Sequence, residues 1–211
     1  MELSQILAFC AVAGLLVMSP GPNGVLIAKT VPSSGRMAGL ANVAGFVAAF
    51  YLHGALSILG ISLILVQSAT AFTVVRYLGA AYLCWIGLQA LMASLKGNQI
   101  RTKVAPPRRR RRLGKAFFEG FLTNALNPKV SMFYLAAFPQ FIEQGAKSAF
   151  PAFSLVFLHS ILNAVWFGLM VLMFGHLTNF AGSARFQRGL KAVTGLVFVG
   201  FGLQLASYEP G

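Results

Sequence analysis

Apolar residues fall in six long runs separated by polar stretches. Residues 3–28 and 37–66 are charge-free, and 72–95 holds only Arg76 near its start. Three more runs follow a basic segment, at 117–142, 148–175 and 189–208. Each is long enough for the ~20 residues that cross ~30 Å of hydrocarbon at ~1.5 Å per residue. The pattern predicts an all-α polytopic membrane protein with six transmembrane helices. Two runs are interrupted, the first by Ser19-Pro20-Gly21-Pro22-Asn23 and the fourth by Asn127-Pro128-Lys129. Proline frees backbone carbonyls from their helical partners, and an unsatisfied polar group in hydrocarbon costs roughly several kcal/mol. Such breaks are expected only where protein, ligand or water satisfies them.

The breaks are related by an internal repeat. Gly14 to Pro22 has the spacing of Gly120 to Pro128, an offset of 106, and the same offset carries Leu52-His53 onto Leu158-His159. Gly87-Leu88-Gln89 recurs as Gly202-Leu203-Gln204 at offset 115, with the extra residues assigned to the hydrophilic segment 177–188. The chain therefore reads as a three-helix repeat at 1–95, a basic linker at 96–115 and a second three-helix repeat at 116–211. Three is odd, so the halves are expected to be inverted relative to each other, with helices one and four broken.

Composition agrees with this class: 57% of residues are hydrophobic, 10% are charged and mean hydropathy is +0.73. The net charge of +13 raises nucleic acid as a partner, but the cations cluster between apolar runs, as the positive-inside rule predicts. Of 17 Lys and Arg residues, 14 lie around the connections after runs one, three and five, Lys191 among them, against Arg76 and Lys147 on the other side. This places those connections in the cytoplasm and both termini outside. Arg108 to Arg112 serves the same signal, with anionic lipid as an added partner. A cleaved signal peptide is not expected, because Glu2 stands where a basic n-region would be. Cys10 and Cys84 both lie within apolar runs, as packing residues rather than a disulfide framework or zinc site.

Two broken helices at corresponding positions point to a small-molecule site near the bilayer midplane. Freed N–H groups suit an anion and freed carbonyls a cation, so the pair suits a zwitterion. The substrate-binding candidates are Pro20, Gly21, Pro22, Asn23, Asn127, Pro128 and Lys129. The asparagines offer both donor and acceptor, and the lysine adds a positive charge. Ordinary kinks with a snorkelling lysine are the competing account. His53 and His159, ionisable and matched by the repeat, are candidates for proton coupling or ligand contact; neutral interhelical hydrogen bonding is the alternative. Glu119 and Glu143 fall near the boundaries of the fourth run, and the chain has no aspartate. Glycines 39, 45, 54, 60, 79 and 87 are read as close-packing positions. Divalent-metal efflux through the two histidines is a competing function, as is a thiol-disulfide electron carrier using Cys10 and Cys84. The first lacks a midplane carboxylate and the second lacks a cysteine in run four.

Met18-Ser19-Pro20-Gly21-Pro22-Asn23, residues 76–83 (Arg-Tyr-Leu-Gly-Ala-Ala-Tyr-Leu), Asn127-Pro128-Lys129 and Phe138-Pro139-Gln140-Phe141 resemble the lysine exporter (LysE) superfamily, most closely its homoserine/threonine resistance branch. The resemblance covers almost the whole chain. It implies a six-helix carrier of the bacterial inner membrane that exports amino acids or related metabolites by alternating access, driven by the proton motive force. Such a carrier is not an enzyme and uses no cofactor; a homo-oligomer is compatible with it. The five-arginine run is not part of the family pattern.

Overall fold

The computed structural model describes residues 2–67, 69–95, 112–142, 149–174 and 184–207. The first apolar run folds as α1 (Leu3–Met18) and α2 (Pro22–Ser34), bent by 51° at Ser19 to Gly21. The next helices are α3 (Arg36–Gln67) and α4 (Ala69–Leu95). The fourth run gives α5 (Leu113–Ala125), the one-and-a-half-turn α6 (Pro128–Met132), a π-helical turn (Phe133–Ala137) and a 3-10 turn (Phe138–Phe141). Helices α7 (Phe150–Leu172) and α8 (Ala184–Ser207) complete the described chain.

This is an all-α polytopic membrane protein. Three described helices are long and apolar enough to cross a membrane, at 36–60, 77–95 and 150–172, and the bent α1–α2 pair makes a fourth. The fourth run lacks an unbroken stretch because α5 ends after 13 residues, and α8 opens among Arg185, Arg188 and Lys191. Most of the expected linker, including Arg108 to Arg111, lies outside the described residues, as do Lys147 and His176. Three boundaries differ from expectation, the first being α2, which runs to Ser34 rather than ending at Ala28. Helix α5 begins at Leu113, inside the expected linker. Residues 184–188, expected in a hydrophilic connection, open α8, and Lys191 is a buried helical residue rather than a loop cation.

Close backbone approach organises the packing. A Cβ at Gly45 of α3 would collide with the Phe117 carbonyl of α5, and one at Gly120 with the Asn42 carbonyl of α3. Between α4 and α8, a Cβ at Gly87 would lie 2.8 Å from the Gly195 carbonyl, and one at Gly202 2.8 Å from the Ala80 carbonyl. Only glycine lets backbones come this near, and in lipid such contact drives helix association. Large apolar residues such as Leu56, Leu78, Phe157 and Leu196 stay outward, toward the acyl chains.

Two apolar clusters result. One joins Phe9 and Leu16 of α1 to Phe133, Tyr134, Phe138 and Val156. The other joins Ile27 and Val31 of α2 to Phe46, Phe167 and Val171. Between them lies a buried polar set that includes Ser19, Asn23, Asn124, Asn127, His159 and Asn163.

Candidate functional site

Both breaks are built the same way. Gly21 is the N-cap of α2 with Pro22 at its first position; Asn127 is the N-cap of α6 with Pro128 at its first position. A proline there loses no hydrogen bond, since that N–H has no intrahelical partner anyway, so each break is the clean start of a new helix rather than a kink. Asn127 Oδ1 accepts from the Lys129 backbone N–H at 3.1 Å, which closes the cap.

Lys129 joins the two breaks. Its Nζ donates to the carbonyls of Leu16 (2.7 Å) and Ser19 (3.0 Å) and to Ser19 Oγ (2.7 Å), while Ser19 Oγ donates to Leu16 O at 2.9 Å. The carbonyls exposed where α1 stops are thus held by an ammonium from the other half of the chain. Gly21 makes room for it: an added Cβ would lie 3.1 Å from Nζ. The Gly21 backbone itself is extended, at φ −171° and ψ −177°, so space rather than conformation requires the glycine.

A second chain of bonds fixes the asparagines. Asn23 Nδ2 donates to Asn124 Oδ1 at 2.9 Å, and Asn124 Nδ2 to Phe46 O at 2.8 Å. Because Asn124 must give its NH₂ to a carbonyl, its oxygen faces Asn23, and Asn23 Oδ1 is left without a partner. Asn163 Oδ1 and both ring nitrogens of His159 are also buried without partners. Asn23, Asn163 and His159 all line a cavity of about 10 Å³ against the breaks, with Ser19, Gly21, Asn127 and Lys129. That is room for about one water molecule, so the site as it stands is too narrow for an amino acid and is lined by buried polar atoms without partners. On the other side of Lys129 and Ser19 is a larger cavity of about 270 Å³, between the break and helices α4 and α8.

The sequence-expected residues divide accordingly. Gly21, Asn23, Asn127, Lys129 and His159 share the small cavity. Pro20 lines the larger one, while Pro22 and Pro128 shape helix starts. His53 lines neither cavity, and its Nε2 is 3.1 Å from the Asn124 carbonyl that the second break exposes. The two histidines nevertheless meet through one side chain: the Tyr134 ring stacks on His53 (5.6 Å, 17°) and on His159 (5.7 Å, 9°). Tyr134 sits in the π-helical turn, its hydroxyl buried without a partner and its carbonyl accepting from Ser57 Oγ at 2.6 Å.

Asn124, Asn163 and Tyr134 are the residues that sequence reasoning missed. Asn124 lies three residues before Asn127, and Asn163 four after His159, one helical turn in each case. The pairs His53/Ser57 and His159/Asn163 even obey the 106 offset. Tyr134 carries no such signal, since the offset takes it to Ala28. Among the described residues, no three His, Cys, Asp or Glu side chains gather where they could hold a metal ion. Cys84 packs in the α4–α8 seam, and neither it nor Cys10 lines either cavity.

With this geometry in view, the comparisons with known proteins are specific. Residues 15–209 match the family described as LysE type translocator. A threonine efflux protein of Escherichia coli (strain K12) is 28% identical over 191 residues, covering 90% of this chain and 91% of that protein. A leucine efflux protein of Klebsiella pneumoniae is 29% identical over 208 residues, covering 96% and 95%. The membrane protein YrhP of Bacillus subtilis (strain 168), itself uncharacterized, is 29% identical over 204 residues, covering 95% and 97%. No solved structure gives a significant match.

Proposed function

The chain belongs to the LysE type translocator family, and from that premise we propose that it exports small amino acids across the bacterial inner membrane by alternating access. The observation that carries this reading is the pair of matched helix breaks bridged by Lys129, with the unpartnered Asn23 and Asn163 oxygens around a cavity of about 10 Å³. The threonine and leucine named for its relatives supply the first substrates to try.

A free amino acid brings both an ammonium and a carboxylate. The carboxylate draws Lys129 off the Leu16 and Ser19 carbonyls, because a charge-assisted pair outcompetes bonds to neutral acceptors. The substrate's ammonium then takes the vacated carbonyls beside Asn23 Oδ1 and Asn163 Oδ1. Lys129 thus stands in for the substrate's ammonium in the empty carrier and leaves only for a ligand that supplies both charges. The caps Gly21 and Asn127, each followed by a proline, Pro22 and Pro128, hold the two helix starts, and Pro20 completes the break before α2 on the side of the larger cavity. His159, joined through Tyr134 to His53, is the proposed route by which export draws on the proton gradient.

The moving parts are two inverted three-helix repeats, residues 1–95 and 116–211, making six spans with both termini outside. The α4–α8 seam supports this division. Offset 115 maps Gly87 to Gly202 and Ala80 to Gly195, and the observed close approaches, Gly87 to Gly195 and Gly202 to Ala80, exchange under that mapping. A two-fold relation between the halves produces such an exchange. Arg108 to Arg112 would rest on anionic lipid at the cytoplasmic face, and self-association is compatible with the outward apolar surface.

The experiment is expression in a bacterial strain lacking its own threonine and leucine exporters, with amino acids in the medium followed by mass spectrometry. Increased release of at least one small neutral amino acid is expected, and Asn127→Ala should remove the increase. A medium unchanged across the whole panel would show the substrate class to be wrong.

A further inference from the structure

The cavity of about 270 Å³ beyond the break meets the small cavity at Ser19 and Lys129, which line both. At about 10 Å³ the small cavity has no room for a side chain, and its apolar walls, Leu16, Val17, Phe50, Val130 and Phe167, are buried in the two packed clusters. The larger cavity is already formed. Ile86 and Phe198 give it apolar walls, and Ala90 and Ala93 leave it wide where longer side chains would fill it. Thr194 of α8 lines it too; this residue is 2% exposed, and its Oγ1 has no hydrogen-bond partner. An unpaired hydroxyl in apolar surroundings is costly, and a ligand hydroxyl would relieve it. No carboxylate is among the lining residues, whereas the Lys129 ammonium is, bonded to neutral acceptors. Lys191 lines the cavity as well but is already engaged.

We propose that this cavity is the pocket for the substrate's side chain, that it accepts aliphatic and hydroxylated side chains and that it rejects cationic ones. The inference rests on the amino-acid reading above and deepens it. A substrate whose carboxylate pairs with Lys129 and whose ammonium takes the Leu16 and Ser19 carbonyls has its α-carbon where the two cavities meet, and only one of them has space for what that carbon carries. A volume of about 270 Å³ far exceeds the ~10–15 Å³ that holds one water and approaches the ~300 Å³ of the smaller ligand pockets, so a leucine side chain fits. Ile86 and Phe198 contact an aliphatic chain, and Thr194 pairs with a substrate hydroxyl. A lysine or arginine side chain would instead bring a second cation beside Lys129 with no carboxylate to receive it.

The test fills the cavity after the protein has folded. In full-length protein with Cys10→Ala and Cys84→Ala, Ala93→Cys is reacted in proteoliposomes with benzyl methanethiosulfonate, and exchange of alanine, leucine and lysine is measured before and after. Leucine exchange should fall by about tenfold or more relative to alanine, as for crowding in a hydrophobic pocket. The methyl reagent should leave the ratio unchanged, and lysine should not be exchanged at all. Thr194→Val should lower the ratio of threonine to valine exchange by about 2–10-fold, the value of one neutral hydrogen bond. Each readout is a ratio within one preparation, so a loss of folded protein does not imitate it. An equal fall for alanine and leucine after benzylation, no change in either, or exchange of alanine without leucine overturns the pocket and leaves the space to helix packing or lipid chains. Lysine exchange matching that of leucine overturns the charge selection, and an unchanged threonine-to-valine ratio overturns the role of Thr194. If the unmodified protein exchanges no amino acid, the amino-acid reading fails and the pocket with it; exchange with unaltered ratios sinks the pocket alone.

Discussion

Lys129→Met replaces the ammonium that bridges the breaks with an apolar chain of similar length. Three hydrogen bonds are lost, but they are not equivalent. Leu16 O keeps the Ser19 hydroxyl at 2.9 Å, so the Ser19 carbonyl is the acceptor left without either of these donors. One orphaned buried acceptor costs about 1–3 kcal/mol. Against it, the protein no longer has to keep an ammonium out of water, a penalty of roughly several kcal/mol when burial is complete and less for this partly buried side chain. The terms nearly cancel, and a net change within about 1 kcal/mol moves Tm by no more than about 2–4 °C in a chain of this size. Transport has no such compensation. Losing one charge-assisted contact to the substrate carboxylate lowers kcat/KM by about 10–100-fold. The assays are thermal unfolding in detergent and radiolabelled amino-acid exchange in proteoliposomes, on the same preparations. A Tm fall of about 10 °C or more would make Lys129 a structural plug. Exchange at the wild-type rate would remove it from the site.

Other outcomes follow from the same geometry. Gly21→Ala puts a methyl 3.1 Å from the Lys129 ammonium, so exchange should fall while circular dichroism stays unchanged. Gly45→Ala drives α3 away from the Phe117 carbonyl of α5 and should cost about 1–3 kcal/mol by thermal unfolding, whereas Gly14→Ala, with nothing within 4 Å, should be neutral or stabilising. Asn124→Ala strands Asn23 Nδ2 and releases the Asn23 side chain, which should raise KM more than it lowers kcat. His159→Phe keeps the aromatic packing against Phe50 and Tyr134 but removes both ring nitrogens. Substrate exchange at equal pH should survive and gradient-driven accumulation should fail; equal loss of both would make His159 a substrate contact instead.

The sequence made the all-α, membrane-spanning character legible because hydrocarbon enforces it: a chain that cannot leave backbone groups unpaired in lipid must form helices, and the second, third and fifth apolar runs do so as long helices, whereas the fourth is split into α5, α6 and two short turns. The breaks were legible for the same reason, as prolines in otherwise uninterrupted apolar runs. What the breaks do to one another was not. Carbonyls freed at Leu16 and Ser19 were expected to face a ligand, yet Lys129, 110 residues beyond Ser19, holds them, and nothing local to either stretch announces that contact. The first span also ends later than the charge-free run suggests: α2 continues through Lys29 and Pro32 to Ser34, past Ala28. Tyr134 owes its place between two histidines to a π-helical turn, which tertiary packing makes and periodicity does not predict. Lys191 sits among arginines in sequence and reads as surface charge, whereas the rotation of α8 turns it inward.

The central claim is that the small cavity between the breaks widens to carry amino acids. Purified protein in proteoliposomes loaded with a single unlabelled amino acid, and exposed to a trace of the same labelled compound, tests this without any assumption about coupling. The account predicts counterflow of at least one small neutral amino acid, threonine and leucine first, abolished by Asn127→Ala and lowered by about 10–100-fold by Lys129→Met. Absence of counterflow for every amino acid in the panel, by protein that remains folded, would contradict it.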